Sequence, residues 1–516
     1  RHYRARHLKA ALLRKLGRCA EAAAFAEETL RLDVADFGAR NELALALAAQ
    51  GDHARAGQVL EELHRLMRGD EHNYLNLAAD YAFCGLFDEA IGLLEWIAPE
   101  HPAPTGSPSQ ATASAADGAP TRGVQQPNLM PMVHYALAYL YERSDRTGQA
   151  EQQRQLARQA SPDYCFPNSL FDYLVLGSAL AADEGDDRAH YYLGNWLYDK
   201  KRYDDAIRHW EASRALNGAF PIVHRNLALA YYNKRRDPQA ALASLERAFA
   251  LQPDDARIFY EFDQLHKKLG RAPAERFALL EQHRHLVQER DDLYVEYVTL
   301  LNPLGRHEDA IGAMQARKFH PWEGGEGKIT AQHVFAHVEL GKKALQEERY
   351  ADAIGLLQQA LTYPLNLGEG KLANAQDNQI HYYLGCAYEA LNQHEAAEQH
   401  FRLASEGLEE PTSAMYYNDQ PPDTIFYQGL AWRRLGNEKE ARRRFNKLID
   451  YGEKHLFDDV TFDFFAVSLP DFLVFDDDLN RRNRIHCHYM MGLGHLGLGR
   501  PKQASAMFEE ALGPDP

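Results

Sequence analysis

Cysteine is scarce in this chain of 516 residues. Cys19, Cys84, Cys165, Cys386 and Cys487 are odd in number and widely spaced, and no CxxC occurs. That argues against a disulfide framework and a structural zinc site, and it fits a reducing, cytoplasmic compartment. Long apolar runs are missing too. Nothing approaches about 18 consecutive apolar residues, the length a membrane-crossing helix needs. The most apolar stretch, 464–475, is broken by Pro470 and Asp471. Positive charge is short: 57 Lys and Arg stand against 74 Asp and Glu, a net charge of −17. Phosphate backbones and anionic membrane surfaces both want a basic footprint, so neither nucleic acid nor membrane is an expected partner. An initiator Met is absent as well. The chain opens at Arg1 inside a helical pattern, which predicts more protein upstream.

What is present is an alanine ladder. Its rungs are Ala22, Ala56, Ala90, Ala150, Ala206, Ala240, Ala310, Ala353, Ala397, Ala441 and Ala504. The closest spacing is 34 residues, a period that signals stacked repeats. In the stretch 187–218, His190, Leu193, Gly194 and Leu197 fall on one face of a first helix. Tyr203, Ala206, Trp210 and Ser213 give the same stripe on a second. Small residues at Gly194, Ala206 and Ser213 allow close approach, and bulky residues fill the space between. About twelve such units begin near 3, 37, 71, 131, 187, 221, 256, 291, 334, 378, 422 and 485. In the unit near 256, Glu275 takes the rung. The small-and-large pattern at this period resembles the tetratricopeptide repeat, whose second helix is often closed by proline; Pro102, Pro162 and Pro253 fit. The predicted fold is all-α, a right-handed superhelical solenoid of helix–turn–helix repeats.

The ladder is interrupted in two ways. Residues 103–127 are rich in Pro, Ala, Ser, Gly and Thr and too poor in apolar bulk to order, so they read as a disordered linker. They separate three N-terminal repeats (1–102) from a main array (128–516). After Ala310 the spacing stretches to 43 or 44 three times, then to 63. The extra residues fall at 318–333, 362–377, 406–421 and 450–484, each between one unit and the next. Insertions at one point of successive repeats emerge on one side, often the binding side.

These insertions concentrate carboxylates, amides and aromatics. The candidate ligand- or partner-binding residues are Trp322, Glu323, Glu326 and Lys328 in the first, and Asn366, Glu369 and Lys371 in the second. Tyr416, Tyr417, Asn418, Asp419 and Asp423 follow in or just after the third. The first two insertions share the tetrapeptide GEGK, 43 residues apart. It is not a phosphate loop, because Ile329 and Leu372 follow the lysines and no strand precedes. Two readings stay open. In one, Gly-Glu-Gly closes a helix and turns the chain, and the following Lys opens the next. In the other, Glu323, Glu326 and Glu369 face a ligand in a polar pocket, with carboxylates and rings suited to a sugar.

Other clusters read as structural. His486, Cys487, His488 and His495 occupy packing positions of the last repeat. Asp476, Asp477 and Asp478 lack calcium-loop spacing; they pair with Arg481, Arg482 and Arg484 or favour a helix N-terminus. Asn195, Asn226 and Arg257 fall near three positions of a peptide-carboxylate clamp. Tyr191 and Glu261 replace its other two basic or polar members, and Glu261 would repel a carboxylate.

The segments FHPWEGGEGK, YPLNLGEGKL, AMYYNDQPPD, FAVSLPDFLVF and NRIHC, in that order, resemble a group of large bacterial proteins. In these an uncharacterised N-terminal domain, similar to a galactose-mutarotase-like β-sandwich, precedes a tetratricopeptide array. The resemblance implies that this chain is the helical half of a longer protein with a link to carbohydrate metabolism. It assigns no catalytic residue. The expected function is a non-enzymatic scaffold that binds a partner protein or an N-terminal domain of the same polypeptide, without cofactor or metal. The alternative is part of a carbohydrate-active enzyme whose insertions line a sugar pocket.

Overall fold

The computed structural model describes residues 3–98, 128–320, 322, 324–373, 375–413, 420, 421, 423–461 and 474–513. The linker at 103–127 lies outside them, as do Glu323 and the run Tyr416, Tyr417, Asn418 and Asp419. The described residues form 26 α-helices, one π-helical turn (Tyr231–Arg235) and one 3-10 turn (Leu365–Leu367), with no strand among them. No described helix is long and apolar enough to cross a membrane. All five cysteines are free thiols. The chain divides into two compact units, Arg1–Leu227 and Ala228–Pro516.

Each unit is built from antiparallel helix pairs, and the pair Asp187–Asp199 and Tyr203–Leu216 shows why the sequence pairs them. Asp186 caps the first helix by accepting hydrogen bonds from the Arg188 and Ala189 N–H groups. Leu193, Leu197, Ala206 and Trp210 are buried between the helices. The Trp210 indole N–H donates to the Tyr191 carbonyl (3.2 Å) and the Asn195 side chain (3.1 Å). Ser213 Oγ donates to the Asp187 carbonyl at 2.8 Å, so this buried hydroxyl is satisfied as well. The ring of Trp210 lies directly on Gly194, where a Cβ would collide with it.

That contact recurs. Gly341 meets Leu357, Gly385 meets Phe401, Gly429 meets Phe445 and Gly492 meets Phe508, always with the glycine on the first helix and the bulky residue on the second. In the first unit the chain also packs across the undescribed stretch. The Tyr141 hydroxyl donates to Glu95 (2.5 Å), and Arg146 pairs with Asp88 (2.6 Å).

The ladder alanine is the fourth residue of the second helix, as in Tyr203–Leu216 (Ala206), Tyr350–Ala360 (Ala353) and His394–Ser405 (Ala397). This rule moves two of the predicted rungs. Helix Pro238–Leu251 puts Ala241 at the fourth place, fully buried, while Ala240 is only half-buried. The cause is the π-helical turn Tyr231–Arg235, which inserts a residue ahead of that helix. Helix Pro273–Gln282 likewise puts Arg276, not Glu275, at the rung.

Arg276 is 5 % exposed and lies bidentate on Asp263 (3.0 and 2.6 Å). It also reaches Glu296 at 3.0 Å, which Lys267 holds from the other side at 2.9 Å. Asp263 stands at the eighth place of helix Ala256–Lys268, where Gly194 stands in helix Asp187–Asp199. Both small residues of the close approach are therefore replaced by a buried ion pair. Replacing both members of such a pair is cheap, whereas stranding one charge is not.

Two stability outcomes follow. Arg276→Met is expected to cost about 3–5 kcal/mol by leaving Asp263 buried and unpaired, and Arg276→Met/Asp263→Leu to recover most of it. Denaturant melts of both variants check this. A Cβ at Gly385 would sit 2.5 Å from the buried Phe401 ring, whereas one at Gly355 meets nothing within 4 Å. Gly385→Ala should lower stability by about 1–3 kcal/mol. Gly355→Ala should raise it by about 0.5–1 kcal/mol, so thermal midpoints of the two move in opposite directions.

Candidate functional site

The stretched spacings place irregular segments between the helix pairs of the second unit, and the first two interlock. Asn366, in the 3-10 turn Leu365–Leu367, donates to the Met314 and Arg317 carbonyls (2.8 and 2.9 Å). These carbonyls lie in the last turn of helix His307–Gln315 and just past its end. The Asn366 carbonyl in turn accepts from Phe319 N–H at 2.8 Å, so the second insertion closes the preceding repeat.

The two GEGK stretches meet at the next helix start. Gly327 is the N-cap of helix Lys328–Gln346, with left-handed backbone (φ 74°) that favours glycine. Its N–H donates to Glu369 Oε2 at 2.9 Å. A carboxylate there complements the positive end of the helix. The Thr330 hydroxyl, one turn in, also points to Glu369 (3.4 Å). Glu326 accepts from Gly324 N–H at 2.8 Å and fixes the turn, and the half-buried Trp322 lies against Gly325. Burial pushes the Glu369 carboxyl above its ordinary range, the Gly327 and Thr330 donors oppose this, and Glu326 nearby adds to the rise.

Lys371 donates to the Leu361 carbonyl (2.8 Å) and pairs with Asp377 (2.7 Å), closing helix Tyr350–Ala360 from below. Lys328 opens its helix as the turn reading expects. The second stretch departs from that reading, because the next helix does not begin until Asn378. The second and third insertions also meet. Gly407 (φ 109°) lies against Gln376, and Asn378 donates to the Ala404 and Glu406 carbonyls (2.8 and 2.7 Å). Beyond the third insertion, His486 bonds the Thr412 carbonyl at 2.8 Å. Asp423 is half-buried at the head of helix Thr424–Arg434, and burial raises its carboxyl above the usual range.

Of the sequence-predicted residues, then, Trp322, Glu326, Asn366, Glu369 and Lys371 are brought together around one repeat junction, and Glu326, Asn366, Glu369 and Lys371 bond neighbouring protein. Asp423 lies at a later junction. Glu323, Tyr416, Tyr417, Asn418 and Asp419 fall outside the described residues. A cleft of about 270 Å³ lies toward the other ends of these helices, lined by His307, Glu308, Glu339, Lys342, Lys343 and Gln346 among others. None of the predicted residues lines it. Among the described residues no group of three or more metal-ligating side chains converges. His486 and Cys487 are buried and His488 and His495 half-buried in helix Leu479–Gly497. Asn195 and Asn226, from the clamp positions, hydrogen-bond each other at 3.1 Å, and Arg257 pairs with Glu261 at 3.3 Å.

Sequence reasoning missed what the insertions expose. Leu365 is 97 % exposed, Leu408 61 % and Phe457 85 %, one from each of the last three insertions. An apolar residue beside Pro364 or Asp458 was the available signal.

The Glu369 cap is testable. Glu369→Ala should cost about 1 kcal/mol and speed exchange of the Gly327 amide, whereas Glu369→Gln keeps an acceptor and most of the protection. The folded state holds the Glu369 proton more tightly than the unfolded chain does. The contribution of this group therefore falls as pH rises from 4.5 through the folded value. Glu369→Gln should flatten that part of the stability–pH profile.

The tetratricopeptide-repeat profile matches residues 7–68, 197–256 and 338–407, and a second profile of the same description matches 423–451. Among solved structures, yeast Tom70 is similar at 12 % identity and TM-score 0.29, covering 98 % of this chain and 91 % of that one. The APC/C hetero-tetramer Cut9-Hcn1 is similar at 14 % identity and TM-score 0.26 over 99 % and 93 % of the two chains. YrrB, described as a TPR protein with an unusual peptide-binding site, is similar at 15 % identity and TM-score 0.18 over 49 % and 87 %. Superpositions this loose do not bear on what the present chain binds. Paired helices, a buried small residue at the fourth place of the second helix and the profile matches converge: the matched stretches, which fall in both compact units, are similar to tetratricopeptide repeats.

Proposed function

We propose that this chain is a non-enzymatic interaction scaffold, the helical part of a longer polypeptide, whose insertions after Ala310 contact a protein partner or a domain of the same polypeptide. Tetratricopeptide arrays are protein-interaction modules, and the chain has that architecture. The observation that carries the finer reading is the combination of braced insertions and exposed apolar tips. Leu365 sits one residue from Asn366, which is fixed to two backbone carbonyls, yet its side chain is almost wholly in water. An apolar side chain on a rigid mount loses little entropy on binding and gains its full desolvation, which is how interface anchors work. Leu408 and Phe457 are exposed in the same manner on the next two insertions.

The sugar-pocket alternative draws less support. Asn366, Glu369 and Lys371 spend their polar atoms on neighbouring protein, and a ligand would have to displace those bonds.

Leu365→Glu/Leu408→Glu/Phe457→Glu changes only exposed positions and should leave helical content and melting temperature unaltered. Photo-cross-linking at 365, 408 and 457 in the native host should capture a protein or an upstream domain, and the triple variant should cut capture at least about tenfold, in line with loss of anchor residues. Undiminished capture by a folded triple variant would sink the reading.

A further inference from the structure

The last insertion reaches far back along the chain. Just before helix Leu479–Gly497 it lies across the π-helical turn Tyr231–Arg235, some 240 residues earlier in the chain. Asn233 donates to the Val474 carbonyl (3.0 Å) and accepts from Asp476 N–H (2.8 Å). One side-chain amide thus brackets Phe475 and reads the backbone on both sides of it. Phe475 is 1 % exposed, and its ring meets Tyr232 edge-on at 5.0 Å. Asp476 faces Lys234 (3.5 Å) and Arg236 (3.8 Å), and Asp477 pairs with Lys268 at 2.8 Å. The partners shown for Asp476 and Asp477 therefore come from helices far earlier in the chain, where the sequence pointed to the neighbouring Arg481, Arg482 and Arg484 or to a helix N-terminus. Asp478 alone takes the expected helix-capping role, accepting from Arg481 N–H at 2.9 Å.

This is the chemistry of peptide recognition: backbone bonds for affinity, a pocket for one side chain, and charges for selectivity. The occupant is non-helical and belongs to no repeat. Its ion pairs are partly in water, where they exchange readily. We infer that Tyr232, Asn233, Lys234, Arg236 and Lys268 form a docking site for a protein segment bearing an aromatic residue followed by two carboxylates, and that residues 475–477 fill it in cis until such a segment displaces them. The site goes beyond the insertion tips of the proposed scaffold function. Its lining residues, from Tyr232 to Lys268, are remote in sequence from 365, 408 and 457, and it is read by direct peptide binding, so either can fail without the other.

The probe is a fluorescein-labelled peptide of residues 474–480, titrated against the full chain. The tethered segment competes at a high effective concentration, so wild type should bind weakly. Phe475→Ser/Asp476→Ala/Asp477→Ala should bind at least about tenfold tighter, in line with removal of that competitor. Adding Asn233→Ala or Lys268→Glu should abolish the gain. A second measurement needs no variant: millimolar unlabelled peptide added to wild type should speed amide exchange at Asp476 and Asp477. An opened variant with native helical content that binds no tighter than wild type would overturn the inference. If that variant does not fold, unchanged exchange in the wild type would do so.

Discussion

The close approach of two helices at a pair of small residues governs this chain. Glycine near the middle of the first helix and alanine at the fourth place of the second bring the backbones together, and a ring or a leucine from the second helix seals the gap. A small residue gains almost nothing by its own burial; what it permits is the burial of its neighbours. The contact is local, between helices adjacent in sequence, so each pair can form before the next. At one point the same space holds Asp263 and Arg276 instead, and there the approach is secured by charge geometry. That unit depends on both members being present at the point of closest approach.

The period of the ladder made the fold legible. It could not show where a turn is one residue longer, because counting residues assumes an unbroken helix. Ala240 and Glu275 were read as rungs because a π-helical turn and a lengthened turn each add one residue, and only backbone geometry reveals them. The insertions were legible as positions, since extra residues must go somewhere between helices. Their content was less so. A glutamate in GEGK reads the same whether it waits for a ligand or caps the helix of its sister motif 42 residues away. Asn366 and Lys371 are alike in this: polar side chains beside helix ends are drawn to orphan backbone groups, which every array supplies in quantity. The exposed Leu365, Leu408 and Phe457 sit among polar neighbours, so no periodic signal marks them.

The acidic balance also has a local reading. Asp36, Asp52, Asp70, Asp186, Asp237, Asp255 and Asp478 each accept backbone N–H bonds at a helix start. An array with this many helix starts calls for this many acceptors, so part of the surplus negative charge is architectural.

The bracket that Asn233 makes around Phe475 has a consequence for how such a chain can change over generations. An open array tolerates gain or loss of a unit, because each repeat answers only to its neighbours. A fastening across some 240 residues removes that freedom: every helix pair between its ends must be present, in number and in pitch, for the two halves to meet. Gain or loss of a helix pair inside the enclosed stretch would therefore break the contact, while a unit outside it could be added or dropped without touching it.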